Sequence, residues 1–266
     1  MSDGDALRAE KQKQEAFPWR RSVDYNEYNS ILGYYQVQSC LEFAHGPKVL
    51  DLPCGDGTLT AMFAEHFPEV VGVDASSAHL AEAKKRVPKG RFFESLIEEF
   101  QTNERFDSIF MLNILEHVID PSMTLCKAAS LLRDDGVLIA HVPNALAINR
   151  RIAVLMGTLE SCEELSPFDI NVAGHRRSYT LDSLQADMRA AGLQVRATGG
   201  IFYKMLSLAQ MDWFLRNGLW EEGGFGWGRV GGPRKDWKAE FCRACYEIGK
   251  ERPGDCNVIY AVAVKR

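Results

Sequence analysis

Two hydrophobic rhythms alternate along the middle of the chain. Short apolar runs at 48–52 (KVLDL), 69–74 (EVVGVD), 91–94, 106–113 and 136–142 predict strands. Between them, 58–67 sets Leu59, Met62, Phe63 and Phe67 on one helical face. Ser76 or Ser77 caps a following helix that carries Leu80, Ala83 and Val87, and 121–132 predicts another. Strands alternating with helices of this length predict βαβ units, a parallel sheet and an α/β fold.

The flanks are less regular. Residues 1–16 are charged and poor in apolar side chains, so they are expected to be a disordered leader. The stretch 17–43 is aromatic, with Trp19, Tyr25, Tyr28, Tyr34 and Tyr35, and its spacing predicts a helix over 29–43. Residues 143–178 read as a connection holding a short helix at 147–156. An amphipathic helix follows at 181–191 and ends at Gly192 in a left-handed cap. Strands are predicted at 194–198 and 258–264, and a helix at 237–249. The organisation expected is a helical lid segment, 1–45, and one domain, 46–266, with insertions at about 145–178 and 200–250. Insertions of that length are often functional.

The sharpest chemistry lies in VLDLPCGDGT followed by VVGVD. A strand that ends in Gly55, Asp56 and Gly57 lets backbone approach a ligand closely, and the helix from Thr58 aims its N-terminal dipole at the same place. Asp74 ends the adjacent strand, where a carboxylate accepts the hydroxyls of a ribose. A dinucleotide fingerprint wants a third glycine where Thr60 stands. Asp51 would also repel a pyrophosphate, whereas it would help hold the cationic sulfonium and amino group of S-adenosylmethionine. The charge argument selects that cofactor over NAD.

At these residues the sequence resembles class I methyltransferases, especially the small-metabolite group that includes ubiquinone-biosynthesis O-methyltransferases. The matching pieces are VLDLPCGDG, VVGVDAS, FFESLIEEF, FDSIFMLNILEHVIDP, LLRDDGVLIAHVPN and HRRSYTLDSLQADMRAAGLQV. The resemblance implies a Rossmann-like, doubly wound, mostly parallel seven-stranded sheet with an N-terminal helical lid and a late insertion. It implies that Asp51, Leu52, Gly55 and Gly57 surround the methionine part of the cofactor, and that Asp74 takes the ribose. Ala75, Ser95 and Leu96 would border the adenine with Glu94 as a polar neighbour, and Asn113 would lie below the reactive methyl. Pro53 departs from the pattern, standing where the family has its first glycine. A contact from that amide is therefore absent.

Methyl transfer requires a nucleophile held in line with the methyl group, and often a base. His117, just past the fourth strand, is the first candidate for taking a proton; the alternative is a locally bonded helix-start residue. His141, at the end of the fifth strand, and His175, in the later HRRSY stretch, are the reserves. Tyr25 and Tyr28, with Trp19, are read as a lid over the cofactor, against a plain packing role. Trp213, Trp220, Phe225 and Trp227 would wall the acceptor pocket or form a homodimer contact.

Composition narrows the partners. The net charge is −5 with no Lys/Arg-rich run, so nucleic acid is not expected and a small-molecule acceptor is. Seven scattered cysteines do not read as a disulfide framework. Cys242, Cys245 and Cys256 lack an evident fourth ligand, so they are read as buried thiols and no metal is assigned. No run approaches the ~20 apolar residues of a membrane span, and no signal peptide is evident. A cytoplasmic location is expected. An NAD-dependent oxidoreductase and an inactive cofactor-binding partner subunit are the competing readings.

Overall fold

The apolar runs pair into one mixed sheet. The structure, a computed structural model, describes residues 3–16, 26–218 and 237–266. Strands β1 (Lys48–Asp51), β2 (Glu69–Asp74), β3 (Arg91–Glu94), β4 (Phe106–Leu112), β5 (Leu132–Pro143), β6 (Leu193–Tyr203) and β7 (Cys256–Lys265) lie in the order β3-β2-β1-β4-β5-β7-β6. The pairs from β3 to β5 are parallel, and β7 runs antiparallel to both β5 and β6. This is the Rossmann-like sheet, with its order turning back on either side of β1.

Period-two alternation splits the strands between two cores. Leu50, Ile109, Met111, Leu138 and Ala261 face one side and pack with α5 (Pro121–Leu131) and α7 (Leu181–Ala190). Val49, Phe110, Ile139 and Val262 face the other and meet α2 (Asn26–Leu41) and α3 (Thr58–Ala64). There the rings of Phe63 and Phe110 stack at 3.9 Å. Burying each such side chain contributes about 1.5–3 kcal/mol.

Caps set the helix starts. Ser76 accepts from the His79 N–H to open α4 (Ser77–Arg86). Asp120 accepts from Ser122 and Met123 ahead of Pro121 in α5. Thr180 and Ser183 form a capping box on α7. Gly192 has φ 80, the left-handed conformation that lets the chain leave α7 for β6.

Three expectations change. Residues 3–16 form a helix, α1 (Asp3–Ala16), where a disordered leader was expected. Helix α2 is not a detachable lid: Val37 and Cys40 are core, and Tyr28 and Leu32 join a third cluster with Ile201 and Phe202. That cluster also takes side chains from α8 (Leu208–Asn217) and α9 (Trp237–Glu251), so a large part of the late insertion is ordered helix. The short helix of the 143–178 connection is α6 (Ile148–Leu155). Among the described residues, no helix is long and apolar enough to cross a membrane.

Candidate active site

Where the order turns back at β1, the carboxyl ends of β1, β2 and β4 leave a crevice, the usual ligand position in open α/β sheets. The cleft there has a volume of about 510 Å³, within the range of ~300–1,000 Å³ typical of small-molecule sites. Asp51 and Gly55 line it from β1 and its turn, Asp74 and Ala75 from β2, and Ser95 and Leu96 from beyond β3. Asn113 and His117 line it from beyond β4.

The two glycines of the turn do different jobs. Gly55 has φ 51 and borders the cleft, and a β-carbon there would meet nothing within 4 Å. Its N–H donates to Asp74 Oδ2 at 3.0 Å, fixing that carboxylate against the turn. Gly57, with φ 80, does not line the cleft; a β-carbon on it would lie 2.7 Å from Ala83 Cα. Its smallness serves the packing of α3 against α4, which corrects its assignment to the cofactor. Leu52 is likewise core, fully buried on the α5 face of the sheet.

Asp51 is buried, and its Oδ2 accepts from the Thr60 hydroxyl at 2.6 Å. Burial pushes its carboxyl up to about 7; Thr60 opposes that shift and the nearby Asp74 carboxylate adds to it. Thr60, which replaces a third glycine, is thus a buried donor to the cleft's own acid. The second oxygen of Asp74 accepts from the Ser76 N–H at 2.9 Å, and His79 Nδ1 lies 3.4 Å away.

At the other end, Asn113 adopts φ 54, uncommon for a residue with a side chain. Its N–H donates to the His141 carbonyl at 2.9 Å, its Nδ2 donates to Gln36 Oε1 at 3.4 Å, and its buried Oδ1 has no hydrogen-bond partner. Polar atoms buried this way are normally satisfied. His117 sits beside it with Nδ1 3.2 Å from the Gly174 carbonyl and Nε2 3.6 Å from Glu116 Oε1. Burial lowers its imidazole to about 3, assisted by His175, so the ring is neutral at pH 7. The ring lines the cleft with Nδ1 turned to the Gly174 carbonyl, and an imidazole lowered so far takes up a proton poorly near pH 7.

His175 does not line the cleft; its ring stands 5.0 Å behind that of His117, with Nδ1 3.6 Å from Asp169 Oδ1. His141 is a correction. It is fully buried on the α2 side, with Nδ1 3.4 Å from Gln36 Nε2 and Nε2 3.6 Å from Cys40 Sγ. Burial alone lowers it to about 3. It packs the core.

The cofactor's neighbours also change. Glu94 leaves the cleft and pairs with Lys11 of α1 at 2.9 Å. Tyr28 is fully buried against Phe202, 5.6 Å between ring centres, so it does not cover the cleft. Tyr25, Trp19, Trp220, Phe225 and Trp227 lie outside the described residues, and Trp213 is exposed. Leu7 and Glu10 of α1 form the roof instead, with Glu10 held by Arg176. Sequence reasoning missed them because α1 shows no apolar stripe. Cys242, Cys245 and Cys256 are buried, and the Cys256 thiol donates to the Gly249 carbonyl.

The electrostatics of the wall are one-sided. Glu10, Asp51, Asp56, Asp74, Glu98 and Asp120 line the cleft, and no Lys or Arg does among the described residues. Asp56 pairs with Arg86, and Thr124 donates to Glu98. A diphosphate would be repelled here, whereas a ligand with cationic centres is held.

With a strand-turn-helix cleft of this charge, the class is that of a nucleoside-binding Rossmann-like fold. Residues 15–198 match the Methyltransferase domain family, and the chain belongs to it. S-adenosylmethionine is the cofactor that membership assigns. A ubiquinone biosynthesis O-methyltransferase of Rhodopseudomonas palustris (strain TIE-1) is 32% identical over 110 residues, which are 40% of this chain and 42% of that one. The chain thus spans about two-fifths of that relative's length. Among solved structures, a Thermotoga maritima methyltransferase described as a possible histamine N-methyltransferase superposes with TM-score 0.58 at 14% identity, covering 91% of this chain and 95% of that one. The magnesium protoporphyrin IX methyltransferase of Synechocystis, with bound S-adenosylhomocysteine, gives 0.55 at 15%, covering 91% and 86%. At such identity these structures share the fold.

Proposed function

We propose that this protein transfers the methyl group of S-adenosylmethionine to an oxygen or nitrogen of a small metabolite. The observation that carries this reading is the wall of the cleft, acidic and without Lys or Arg among the described residues. Asp51 takes the cationic methionine head, Asp74 the ribose hydroxyls, and Ala75, Ser95 and Leu96 the adenine. Asn113 borders the methyl end of the cleft, and His117 is the side chain offered to the acceptor. Oxygen acceptors come first, because the curated relatives act in ubiquinone biosynthesis as O-methyltransferases by name.

The chemistry asks little of the protein. The sulfonium is already an activated electrophile, so holding the acceptor in line and excluding water supply most of the rate. Helix α1 serves the second purpose by roofing the cleft with Leu7. The test is a calorimetric titration with S-adenosylmethionine and, separately, NAD, followed by S-adenosylhomocysteine release over phenol, sugar and amine panels. Binding of the first alone is expected, with Asp74→Ala weakening it at least tenfold through lost hydrogen bonds of about 1.5–3 kcal/mol each. His117→Ala should lower turnover by loosening the placement of the acceptor, at unchanged cofactor affinity. NAD binding in place of S-adenosylmethionine would overturn the reading.

A further inference from the structure

Just past β6 stands a buried lysine that meets no carboxylate. Lys204 is 3% exposed, and its amine donates to the Leu206 carbonyl at 3.0 Å. Its other neighbour is the face of the Tyr28 ring, whose centre lies 5.7 Å from Nζ. An ammonium has three donors to place, and among the described residues no acid pairs with this one. The buried carboxylate of α8, Asp212, is taken up by the Glu27 and Tyr28 N–H groups and by Arg216. Burial lowers the amine to about 7, and the Arg150 guanidinium of α6 adds to that shift. Buried charges are normally paired, so an anion is what this amine lacks.

Strand β6 runs parallel to β4 and β5 through β7, so Lys204 leaves the sheet at the same edge where Asn113 follows β4. Helix α2 borders both places. Gln36 Oε1 is 3.4 Å from Asn113 Nδ2, and Tyr28 packs on Lys204. Those two α2 positions are eight residues apart, about 12 Å along the axis. Lys204 does not border the cofactor cleft; it stands one small-molecule length from the methyl end. Two further features mark this edge. Asn113 and Phe202 hold φ of 54 and 66, and among the described residues no other residue but glycine is left-handed. Such outliers cluster where ligands are clamped. The buried side-chain oxygens without a partner among the described residues belong to Tyr28, Asn113, Glu116 and Asn149. Asn113 and Glu116 follow β4, Asn149 lies in α6 beyond β5, and Tyr28 packs on Lys204. Polar atoms left over in this way are rare, and here they gather on one edge.

We infer that Lys204 anchors a carboxylate at the far end of the acceptor, which makes the substrate class a small hydroxylated acid of about 12 Å reach. The charge count selects a monoanion. Arg150 is committed to Asp169 and to the carbonyls of Cys162 and Glu164, so one ammonium faces the ligand. A phosphate dianion would leave a buried charge unbalanced. The two remaining donors of Nζ give a carboxylate charge-assisted hydrogen bonds. Met205 and Leu206, both exposed, follow the lysine, so the amine is reached past a surface turn and not through the core. Lys204 takes no part in the transfer itself. Its role as acceptor anchor rests on the methyltransferase reading above; its affinity for an acid does not.

The experiment is calorimetric titration with 4-hydroxyphenylalkanoic acids, from the acetate to the hexanoate, and with their methyl esters, followed by S-adenosylhomocysteine release for each. At least one acid should bind roughly tenfold tighter than its ester or better, and Lys204→Met should erase that preference at wild-type S-adenosylmethionine affinity. The acid-over-ester ratio of kcat/KM should fall with it, through KM. A carboxylate beside the amine raises its pKa, so acid binding should take up about one proton at pH 8 and little at pH 6. Arg150 and Tyr28 face the amine; the first stays a cation and the second neutral across that range. Titrations in two buffers of different ionisation enthalpy read the proton in wild type, so the test stands should Lys204→Met not fold. A series in which no acid outbinds its ester, or in which Lys204→Met keeps the preference, would overturn the inference. Acid binding that the variant abolishes, in a protein that binds no S-adenosylmethionine, would instead sink the methyltransferase reading and leave the anion site standing.

Discussion

Replacing Thr60 by valine removes a hydroxyl and adds a methyl of similar size, so the perturbation is a lost hydrogen bond to Asp51. The bond is 2.6 Å long and both residues are buried. A bond to an ionised carboxylate in such a place stabilises the anion by about 1.5–3 kcal/mol, roughly one to two pKa units. Asp51 already stands at about 7, so the variant's carboxyl moves to roughly 8–9. The charged neighbour facing it is Asp74, which His79 flanks; the Cys40 and Cys54 thiols are held protonated by burial. If the cofactor's cationic head selects the Asp51 anion, wild-type affinity falls about tenfold per pH unit below 7. Thr60→Val should then bind roughly 5- to 50-fold more weakly at pH 7 and within about twofold of wild type at pH 9, with Thr60→Ser restoring the profile. The sign for stability is opposite. A carboxyl raised from 3.8 favours the cofactor-free fold most below pH 4, and that contribution, on the order of 4 kcal/mol, is lost as pH rises through 7. Calorimetric titrations from pH 6 to 9 measure the first effect and melts from pH 4 to 8 the second. Parallel, pH-independent affinities in wild type and Thr60→Val would refute the linkage.

Gly57→Val forces a β-carbon into Ala83 at a left-handed position, so it should cost about 2–5 kcal/mol of stability, read from its melting temperature. Gly55→Ala should lose only about 1–2 kcal/mol to its left-handed φ yet bind S-adenosylmethionine weakly, because its methyl meets open space beside the cleft; equal behaviour of the two variants would erase the distinction. Residues 3–16 should gain hydrogen-exchange protection when the cofactor binds, and Arg176→Ala, which removes one partner of Glu10, should diminish that gain. Protection of α1 indifferent to cofactor would make the roof a fixed wall.

What sequence alone makes legible follows from which forces are local. Strands β1 to β5 each carry an apolar run bounded by a turn, and their caps at Ser76, Asp120 and Thr180 are chemistry within four residues, so the fold reads straight off the chain. The capping box of α8, Ser207 with Gln210, was equally local and sat unread inside a glycine-rich stretch. Helix α1 had no such signal: pairs to Glu94 and Arg176, far along the chain, anchor it. The site divides along the same line. Asp51, Gly55, Asp74 and Asn113 reach the cleft because a strand end dictates where they point. Gly57 and His141 sit one helix or one strand face away, where the choice between ligand and core is made by neighbours such as Ala83 and Gln36. His175 is the extreme case. Nothing near it in sequence ties it to His117, yet Gly174 brings it there while its own carbonyl orients that ring. One backbone turn therefore supplies both an imidazole and the acceptor that aligns its partner, and a chain read in order, one motif at a time, does not display that coupling.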